Sequence, residues 1–410
     1  MTRSTPIDHQ LAQLMLGTEF GDETLRESMA AALKAKLLEG RPLEVYLGID
    51  PTAPDIHLGH TVPLRKLKHF QEAGHNVTFL IGDFTARIGD PSDKDKTRPQ
   101  LTTEEIAANV QTYVQQAFKL LDPARTKIRY NSEWLSEMDF ADVIRLASNF
   151  TVQQFMQRDN FAKRLDAGLP IYLHEFFYAL MQGQDAVVQQ TDVQVGGTDQ
   201  TFNMLAGRTL QERDGQVPHV VLTNPMLPGT DGTVKMSKSL GNAIEIDTTP
   251  QDMYGKLMSI PDEAMAVYYR LLSSYDVDEI EQRIADIASG AIHPRDAKMA
   301  LARHLTAIFH GDEGAAQGEA HFTQIFQKQE NPDEMPERVV AEPIGLLHLI
   351  ADADFARGTG AARRLVQQGA VRLDDVRIDD ATLTIEPSDE ARVLRVGKRN
   401  FLRLMPVGGG

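Results

Sequence analysis

The chain has 410 residues, of which 42% are hydrophobic and 24% charged, and this composition predicts two or three globular domains. It lacks cysteine, which excludes disulfides, thiol chemistry and Cys-type zinc sites. It also lacks both an apolar run of about 18 residues and a signal-peptide core at residues 1–8, so we expect a soluble, cytoplasmic protein that does not enter the membrane. The formal net charge of −16 argues against a general nucleic-acid binder, because phosphate binding depends on Lys and Arg contacts.

An α/β pattern opens the chain. The predicted elements are a buried strand at 45–49, a helix at 57–72 that Gly74 ends, and a strand at 77–82. Strands joined in this way form a parallel sheet, with the ligand site at the carboxyl ends of the strands. Asp50 and Thr52 follow the first strand and Asp83 follows the second, so we expect these side chains near a ligand.

Three more strands are predicted farther along, with helices between them, at 127–130, 192–195 and 219–222. No G-x-G-x-x-G follows the first two strands, and no G-x-x-x-x-G-K-[ST] occurs in the chain. The sequence therefore does not favour a Rossmann dinucleotide-binding site or a P-loop. The predicted fold class is α/β, with a Rossmann-like parallel-sheet domain at residues 1–247.

Strand patterns stop after that domain. Apolar residues at helical spacing predict an α-helical domain at 248–327, and a polar, Pro-containing stretch predicts a linker at 328–342. A small α+β domain is predicted at 343–406. It holds a basic amphipathic helix at 360–371 ended by Gly369, and a strand pair at 393–404.

Positive charge is concentrated in the tail. Residues 343–410 contain ten Arg or Lys and nine Asp or Glu, a net charge of +1, so residues 1–342 carry −17. The tail is therefore the part of the chain whose charge favours RNA.

Two short motifs lie about 180 residues apart, His57-Leu58-Gly59-His60 and Lys235-Met236-Ser237-Lys238-Ser239. His57 and His60 share one face of a helical first turn, where free N–H groups and the helix dipole favour anions, and Gly59 leaves room for a base or ribose. Lys235 and Lys238 lie in a Gly-bounded loop suited to closing over pyrophosphate. Each motif alone is also explained by helix-capping histidines or by a solvated basic loop. Together, in this order, they indicate a nucleotide site.

The pair resembles the HIGH and KMSKS signatures of class I aminoacyl-tRNA synthetases, and the resemblance runs from near the start of the chain to near its end. It implies an enzyme that activates an amino acid with ATP and transfers it to the 3′ end of a tRNA without a covalent enzyme intermediate. It also implies ATP accompanied by Mg²⁺, no protein-held metal, no tightly bound cofactor, and a homodimer.

The segment at 178–185, together with Tyr46, resembles the tyrosyl-tRNA synthetases of that class, which implies L-tyrosine and tRNA(Tyr) as substrates. Spacings of four and three place Tyr178, Gln182 and Asp185 on one helical face. The resemblance implies that Asp185 accepts the substrate hydroxyl and that Tyr46 donates to it. It assigns the substrate ammonium to Tyr178, Gln182 and Asp90.

The resemblance also assigns an ATP site. In the segment at 194–200, Gly197 would admit the ribose and Asp199 would bind its hydroxyls. Gln200 in the same segment is assigned to tyrosine, where it would meet the activated carbonyl. The residues assigned to the phosphates are His57, His60, Lys94, Arg98, Lys235 and Lys238. The ATP-binding set is Gly48, Asp50, Thr52, His57, Gly59, His60, Gly197, Asp199, Lys235, Lys238 and Ser239.

The C-terminal domain resembles an S4 RNA-binding domain. By this resemblance its helix and hairpin grip the RNA backbone, with Arg363, Arg364, Lys398 and Arg399 as the contacts. A small α/β cap with ordinary surface arginines explains the same residues.

The chain departs from the family at two places: Thr201 stands where many relatives have Trp, and residues 84–87 are bulkier than usual. Three rival interpretations stay open. They are a tryptophanyl-tRNA synthetase, a non-enzymatic RNA-binding protein on a synthetase scaffold, and a coenzyme-forming nucleotidyltransferase with H-x-G-H.

Three other patterns have ordinary explanations. His174-Glu175 begins like a zinc-protease motif but lacks the second histidine, so we expect core packing there. The pairs at 374–375 and 379–380 are interpreted as turns, and Trp134 as a packing residue.

Overall fold

A computed structural model describes residues 7–51, 56–92, 102–327, 335–397 and 400–406. The contacts between residues divide the chain into two compact units, Met1–Ala315 and Ala316–Gly410. The finer division at 247, 327 and 342 stays a prediction. Five predicted site residues lie outside the described residues: Thr52, Lys94, Arg98, Lys398 and Arg399.

A five-stranded sheet forms the centre of the first unit. Its strands are β1 (Glu44–Ile49), β2 (Asn76–Ile81), β3 (Thr126–Tyr130), β4 (Val193–Gly197) and β5 (Val220–Asn224). Every pairing is parallel, in the order β3-β2-β1-β4-β5. All five predicted strands and the α/β class are therefore confirmed. Strand β1 has β2 on one side and β4 on the other, so the connections after β1 and β4 run in different directions. This change of direction opens a crevice at the carboxyl ends of the strands.

Helices cover the sheet and then follow it. They are α1 (Ile7–Met15), α2 (Glu23–Leu38), α3 (Leu58–Glu72), α4 (Thr103–Ala117), α5 (Ser132–Leu135), α6 (Phe140–Ala147), α7 (Val152–Met156), α8 (Asp159–Asp166), α9 (His174–Val188), α10 (Thr201–Arg213), α11 (Pro250–Met258), α12 (Met265–Leu272), α13 (Val277–Ser289) and α14 (Pro294–Phe322). The predicted helical character after residue 248 is confirmed. Helix α14 breaks at Gly311, whose φ is +72°.

Alternate strand residues such as Leu47, Phe79, Val195 and Leu222 form the main core with apolar side chains from the covering helices. The interpretation of Glu175 as a core residue is also confirmed: it is 2% exposed and pairs with Arg164. None of the helices in the described ranges has the length and hydrophobicity that crossing a lipid bilayer requires.

The second unit has its own core. Its elements are β6 (Glu337–Val339), β7 (Ile344–Gly345), α15 (Leu346–Asp352), α16 (Thr359–Gln367), β8 (Val371–Leu373), β9 (Val376–Arg377), β10 (Thr384–Ile385), β11 (Arg392–Val396) and β12 (Asn400–Met405). One sheet has the order β6-β12-β11-β8-β9, and β7 pairs with β10. The predicted helix and strand pair are confirmed as α16 and β11–β12, and Asp374 and Asp375 form a turn with positive φ.

A buried carboxylate joins the start of β4 to β1. Asp192 accepts hydrogen bonds from the Lys36 ammonium at 2.9 Å, from the Arg41 guanidinium at 2.5 and 2.8 Å, and from the Glu44 backbone N–H at 3.0 Å. Burial opposes its charge, but these donors outweigh burial and lower the pKa of Asp192 to about 2. The contact fixes the amino-terminal ends of β4 and β1 beside each other, and the crevice opens at the other end of these strands.

We predict that Asp192→Asn lowers the free energy of unfolding by about 3 kcal/mol, because it leaves the buried Lys36 ammonium without its counter-ion. The folded pKa lies below the ordinary value of 3.8, so the contribution is present above about pH 4 and is lost as the pH falls toward 2. Urea unfolding at pH 7 and at pH 3 measures both effects. Exposed Asp166→Asn is the control, and equal stability of the two variants at pH 7 would contradict the prediction.

Candidate active site

Two adjoining cavities lie at the carboxyl ends of the strands. The smaller has a volume of about 190 Å³ and the larger about 550 Å³. They share five lining residues, Gly48, Ile49, His60, Asp199 and Gln200. A small ligand in the first cavity would therefore meet a second ligand in the other at a common wall.

The smaller cavity gathers all six residues assigned from the sequence to tyrosine: Tyr46, Asp90, Tyr178, Gln182, Asp185 and Gln200. The larger cavity gathers eight of the eleven assigned to ATP: Gly48, His57, Gly59, His60, Gly197, Asp199, Lys235 and Ser239. Asp50 lines only the smaller cavity, and Lys238 lies beside the histidines without lining either cavity.

Asp185 stands at one end of the smaller cavity and is 3% exposed. Its carboxylate accepts from the Trp134 indole N–H at 2.9 Å and from the Asn131 amide at 3.4 Å. Burial raises its pKa well above the ordinary value, although both hydrogen bonds work in the other direction. Burial likewise raises the pKa of Tyr46, whose hydroxyl has no hydrogen-bond partner among the described residues. This end of the cavity therefore offers a buried acceptor and a buried hydroxyl to a polar ligand atom.

Asn131 and Trp134 were missed as functional residues. The sequence interpretation of Trp134 as packing agrees with its 9% exposure but omits its hydrogen bond to Asp185. Both residues follow the carboxyl end of β3, which lies beside β2 in the sheet. Polar residues after that strand were the available signal.

The other end of the smaller cavity is also polar. The Tyr178 hydroxyl donates to Asp50 at 2.9 Å, and Asp90 accepts from the Ser92 N–H at 2.9 Å. Buried Gln182 Oε1 has no partner within the described part of the chain. Carboxylates with an amide oxygen suit an ammonium group, because all of them accept hydrogen bonds.

His57 and His60 begin α3. The Nδ1 atom of His57 accepts from the Gly59 N–H at 3.1 Å, and that of His60 accepts from the His57 N–H at 3.3 Å. The ring centroids lie 3.9 Å apart, and the ring planes are tilted by 33°. A Cβ on Gly59 would lie 2.9 Å from the His57 ring, so this glycine makes room first for the imidazole. Because each Nδ1 accepts, each Nε2 carries the proton and presents a donor.

Both rings are neutral at pH 7. Burial, together with the nearby Lys238 charge, lowers the pKa of His57 to about 3 and that of His60 to about 4. Fixed positive charge at the larger cavity therefore comes from lysine, while the histidines contribute neutral N–H donors.

The loop that carries Lys235 and Lys238 is held by Asn242, which is 5% exposed. Asn242 accepts from the Ser237 N–H at 2.8 Å and donates to the Lys235 carbonyl at 3.2 Å. Lys238 Nζ lies 3.5 Å from the Glu245 carboxylate, and Glu245 pairs with His57 through a β-bridge. The two sequence motifs are therefore joined through backbone pairing.

The comparisons agree with this geometry. The family described as tRNA synthetases class I (W and Y) matches residues 38–327. The tyrosine–tRNA ligase of Moorella thermoacetica is 51% identical, over 92% of this chain and 92% of its own length. That of Carboxydothermus hydrogenoformans is 48% identical, over 98% and 99%. The structure of the Archaeoglobus fulgidus tyrosyl-tRNA synthetase complexed with L-tyrosine has a TM-score of 0.59 at 25% identity, covering 77% of this chain and all of that one.

A parallel sheet with a nucleotide-sized cleft between paired His and Lys motifs is the catalytic core of a class I aminoacyl-tRNA synthetase. The chain belongs to the tyrosine and tryptophan family of that class, and on sequence it groups with the tyrosyl-tRNA synthetases.

We predict that neither His57 nor His60 takes up a proton between pH 8 and pH 5. NMR of the ring Cε1–H signals, assigned with His57→Asn and His60→Asn, measures this directly. The unfolded chain does take up these protons near pH 6.5, so these residues reduce the stability as the pH falls below that value. A ring that titrates near 6.5 in the folded protein would instead place a cation at the cavity.

Proposed function

We propose that this chain is a tyrosine–tRNA ligase, which forms tyrosyl-adenylate from tyrosine and ATP and transfers the tyrosyl group to the 3′ end of tRNA(Tyr). The observation that carries the proposal is the smaller cavity, whose two polar ends hold all six tyrosine-assigned residues. Its volume of about 190 Å³ suits one amino acid. The relatives with this name match nearly the whole chain, and this supports the same activity here.

In this proposal the tyrosine hydroxyl lies between Tyr46 and Asp185, and the ammonium group lies among Asp90, Tyr178 and Gln182. Asp185 acts as the acceptor, and the Tyr46 hydroxyl gains the partner that it lacks among the described residues. Phenylalanine would leave the Tyr46 hydroxyl unpaired, at a cost of about 1–3 kcal/mol, and would leave Asp185 with only its two protein donors. The cavity therefore selects by hydrogen bonding as well as by shape.

The larger cavity then holds ATP. The substrate carboxylate attacks the α-phosphorus at the wall shared by the two cavities, near Gln200, and pyrophosphate leaves. The Nε2–H donors of His57 and His60 and the ammonium groups of Lys235 and Lys238 stabilise the developing phosphate charge. Asp199 and Gly197 are assigned to the ribose. We extend the phosphate site to Lys94 and Arg98, and the ATP site to Asp50 and Thr52, on the family resemblance.

In the second step a terminal ribose hydroxyl of the tRNA attacks the activated carbonyl, and AMP leaves. We assign tRNA contacts to a C-terminal S4-like domain at 343–406, with Arg363, Arg364, Lys398 and Arg399. Arg363 and Arg364 are exposed on α16, which suits contact with a phosphate backbone.

Three further parts of the proposal concern the metal ion, the cellular compartment and the oligomeric state. ATP enters as its Mg²⁺ complex, with the ion carried by the phosphates. The enzyme acts in the cytoplasm. It acts as a homodimer, supported by exposed apolar side chains at six positions in the stretch 140–173 of the sequence: Phe140, Ile144, Val152, Leu165, Tyr172 and Leu173. Such a set on a soluble enzyme fits a protein contact.

ATP–pyrophosphate exchange with each of the twenty amino acids tests the activity. Tyrosine alone should support fast exchange, and tRNA(Tyr) should then be charged. Exchange with tryptophan would favour the tryptophanyl alternative. No exchange with any amino acid would favour a non-enzymatic RNA-binding protein or a different nucleotidyltransferase.

We predict that Asp185→Asn lowers kcat/KM for tyrosine in exchange by about 10- to 100-fold, because the buried carboxyl acceptor of the substrate hydroxyl is lost. The kcat/KM for phenylalanine should change much less, so the enzyme should discriminate less strongly between tyrosine and phenylalanine. Asp166→Asn provides the exposed control. Discrimination that stays intact in Asp185→Asn would show that the hydroxyl is recognised elsewhere.

We predict that Lys238→Ala slows adenylate formation by about 100-fold while leaving tyrosine affinity unchanged, because its charge acts on the departing pyrophosphate. Single-turnover activation and equilibrium tyrosine binding separate the two effects. Exposed Lys163→Ala is the control. A normal single-turnover rate would remove Lys238 from the mechanism.

We predict that the double variant Arg363→Ala and Arg364→Ala charges tRNA poorly but exchanges pyrophosphate normally. Each lost phosphate contact should flatten the salt dependence of tRNA affinity by about one unit of slope. Arg26→Ala, an exposed arginine on α2, is the control. An unchanged salt slope would favour a structural cap with ordinary surface arginines.

A further inference from the structure

A chain of hydrogen bonds runs along the smaller cavity from one polar end to the other. The Tyr178 hydroxyl donates to Asp50 Oδ2 at 2.9 Å, and the Thr85 hydroxyl donates to Asp50 Oδ1 at 2.8 Å. Asn131 Nδ2 donates to Thr85 Oγ1 at 3.0 Å and to Asp185 Oδ2 at 3.4 Å. Both junction residues are buried, since Thr85 is 3% exposed and Asn131 1%.

Each hydrogen in this network has one possible direction. Asn131 Oδ1 accepts from the Phe84 N–H at 3.0 Å, so its NH₂ group faces Thr85 and Asp185. The Thr85 hydroxyl has one proton, which goes to the Asp50 carboxylate, and its lone pairs are then left for Asn131. At the two carboxyl groups, Asp50 accepts from Thr85 and Asp185 accepts from Asn131. The Thr85 hydroxyl therefore joins the two halves of the network, because it accepts from Asn131 and donates to Asp50.

The backbone around Thr85 is closely fitted. Thr85 begins a short 3₁₀ helix, Thr85–Arg87, directly after β2 and Gly82. A Cβ on Gly82 would lie 2.1 Å from Asp50 Oδ1 and 2.4 Å from Thr85 Oγ1. Only glycine at that position lets the hydroxyl reach Asp50. The segment that departs from the family pattern thus carries the junction of the network.

We propose that Thr85 is a positioning residue that couples recognition of the substrate ammonium to recognition of the substrate hydroxyl, acting through Asp50 at one end and through Asn131 and Asp185 at the other. This inference rests on the proposed tyrosine site. Loss of the Thr85 hydroxyl removes a donor from Asp50 and an acceptor from Asn131. The Asn131 amide is then held toward Asp185 only by the Phe84 N–H and by its own 3.4 Å bond to Asp185, so its orientation is less firmly fixed.

The test compares Thr85→Val, Thr85→Ala and Thr85→Ser by exchange kinetics with tyrosine and with phenylalanine. When the Thr85 hydroxyl is removed, binding of phenylalanine is weakened only at Asp50. Binding of tyrosine is weakened at Asp50 and also at Asp185, which recognises the hydroxyl that phenylalanine lacks. In Thr85→Val and Thr85→Ala the ratio of kcat/KM for tyrosine to kcat/KM for phenylalanine should therefore fall by about tenfold. Thr85→Ser should restore the wild-type ratio. Ala removes the hydroxyl without adding atoms, so it remains informative if Val fails to fold.

A double-mutant cycle shows whether the effect passes through Asp185. In an Asp185→Asn background, Thr85→Ala should no longer change the tyrosine-to-phenylalanine ratio. Thr306→Val, a buried threonine on α14, is the matched control and should keep the wild-type ratio.

Two kinds of failure are distinguishable. A wild-type protein that does not activate tyrosine would overturn the proposed function and this inference with it. A wild-type protein that activates tyrosine, with Thr85 variants that lose both substrates equally or keep the wild-type ratio, would overturn the coupling role alone.

Discussion

Parallel pairing of β1 with β2 on one side and β4 on the other is the constraint on which the site depends. It separates the loops after β1 and β4 and leaves a crevice between them. The same arrangement brings together residues that are far apart in sequence, such as Tyr46, Asp185 and Gln200. Asp192 holds this pairing at the opposite end of the strands, where β4 begins. Substrate geometry therefore depends on a buried ion pair that no substrate touches.

Charge is unevenly divided between the two cavities. The smaller cavity holds Asp50, Asp90 and Asp185, and burial together with the neighbouring Asp50 charge raises the pKa of Asp185. The larger cavity has lysine as its fixed cation beside two neutral imidazoles. An amino acid with its ammonium group suits the first environment, and a nucleotide suits the second. Their shared wall, which includes His60 and Gln200, is the place where the two ligands would meet.

Much of the architecture was predictable from the sequence because it depends on local spacing. Buried strands gave continuous apolar runs, and intervals of four and three placed Tyr178, Gln182 and Asp185 on one face of α9, where the structure has them. The roles of Asn131 and Trp134 were not predictable in this way. Their contact with Asp185 spans more than fifty positions and requires the order of β3, β2 and β1.

The same limit applied elsewhere. The parallel pairing of β6 with β12 joins the first and last strands of the second unit, and no local pattern signals it. The network through Thr85 also joins separate segments, so residues 84–87 could be recognised only as a departure from the family. Local periodicity identifies elements and faces, whereas hydrogen-bond partners across the sheet need its topology.

The imidazole that is assigned to bind phosphate is also the N-cap of its own helix, because His57 Nδ1 accepts from Gly59. Acid that protonates this nitrogen removes the cap and frays the first turn of α3. The Leu58 N–H is bonded to the Ile244 carbonyl, so the fraying reaches the segment just after the lysine loop. Amide hydrogen exchange at Leu58, Gly59 and Ile246 should then quicken together in acid, as one cooperative opening that precedes global unfolding.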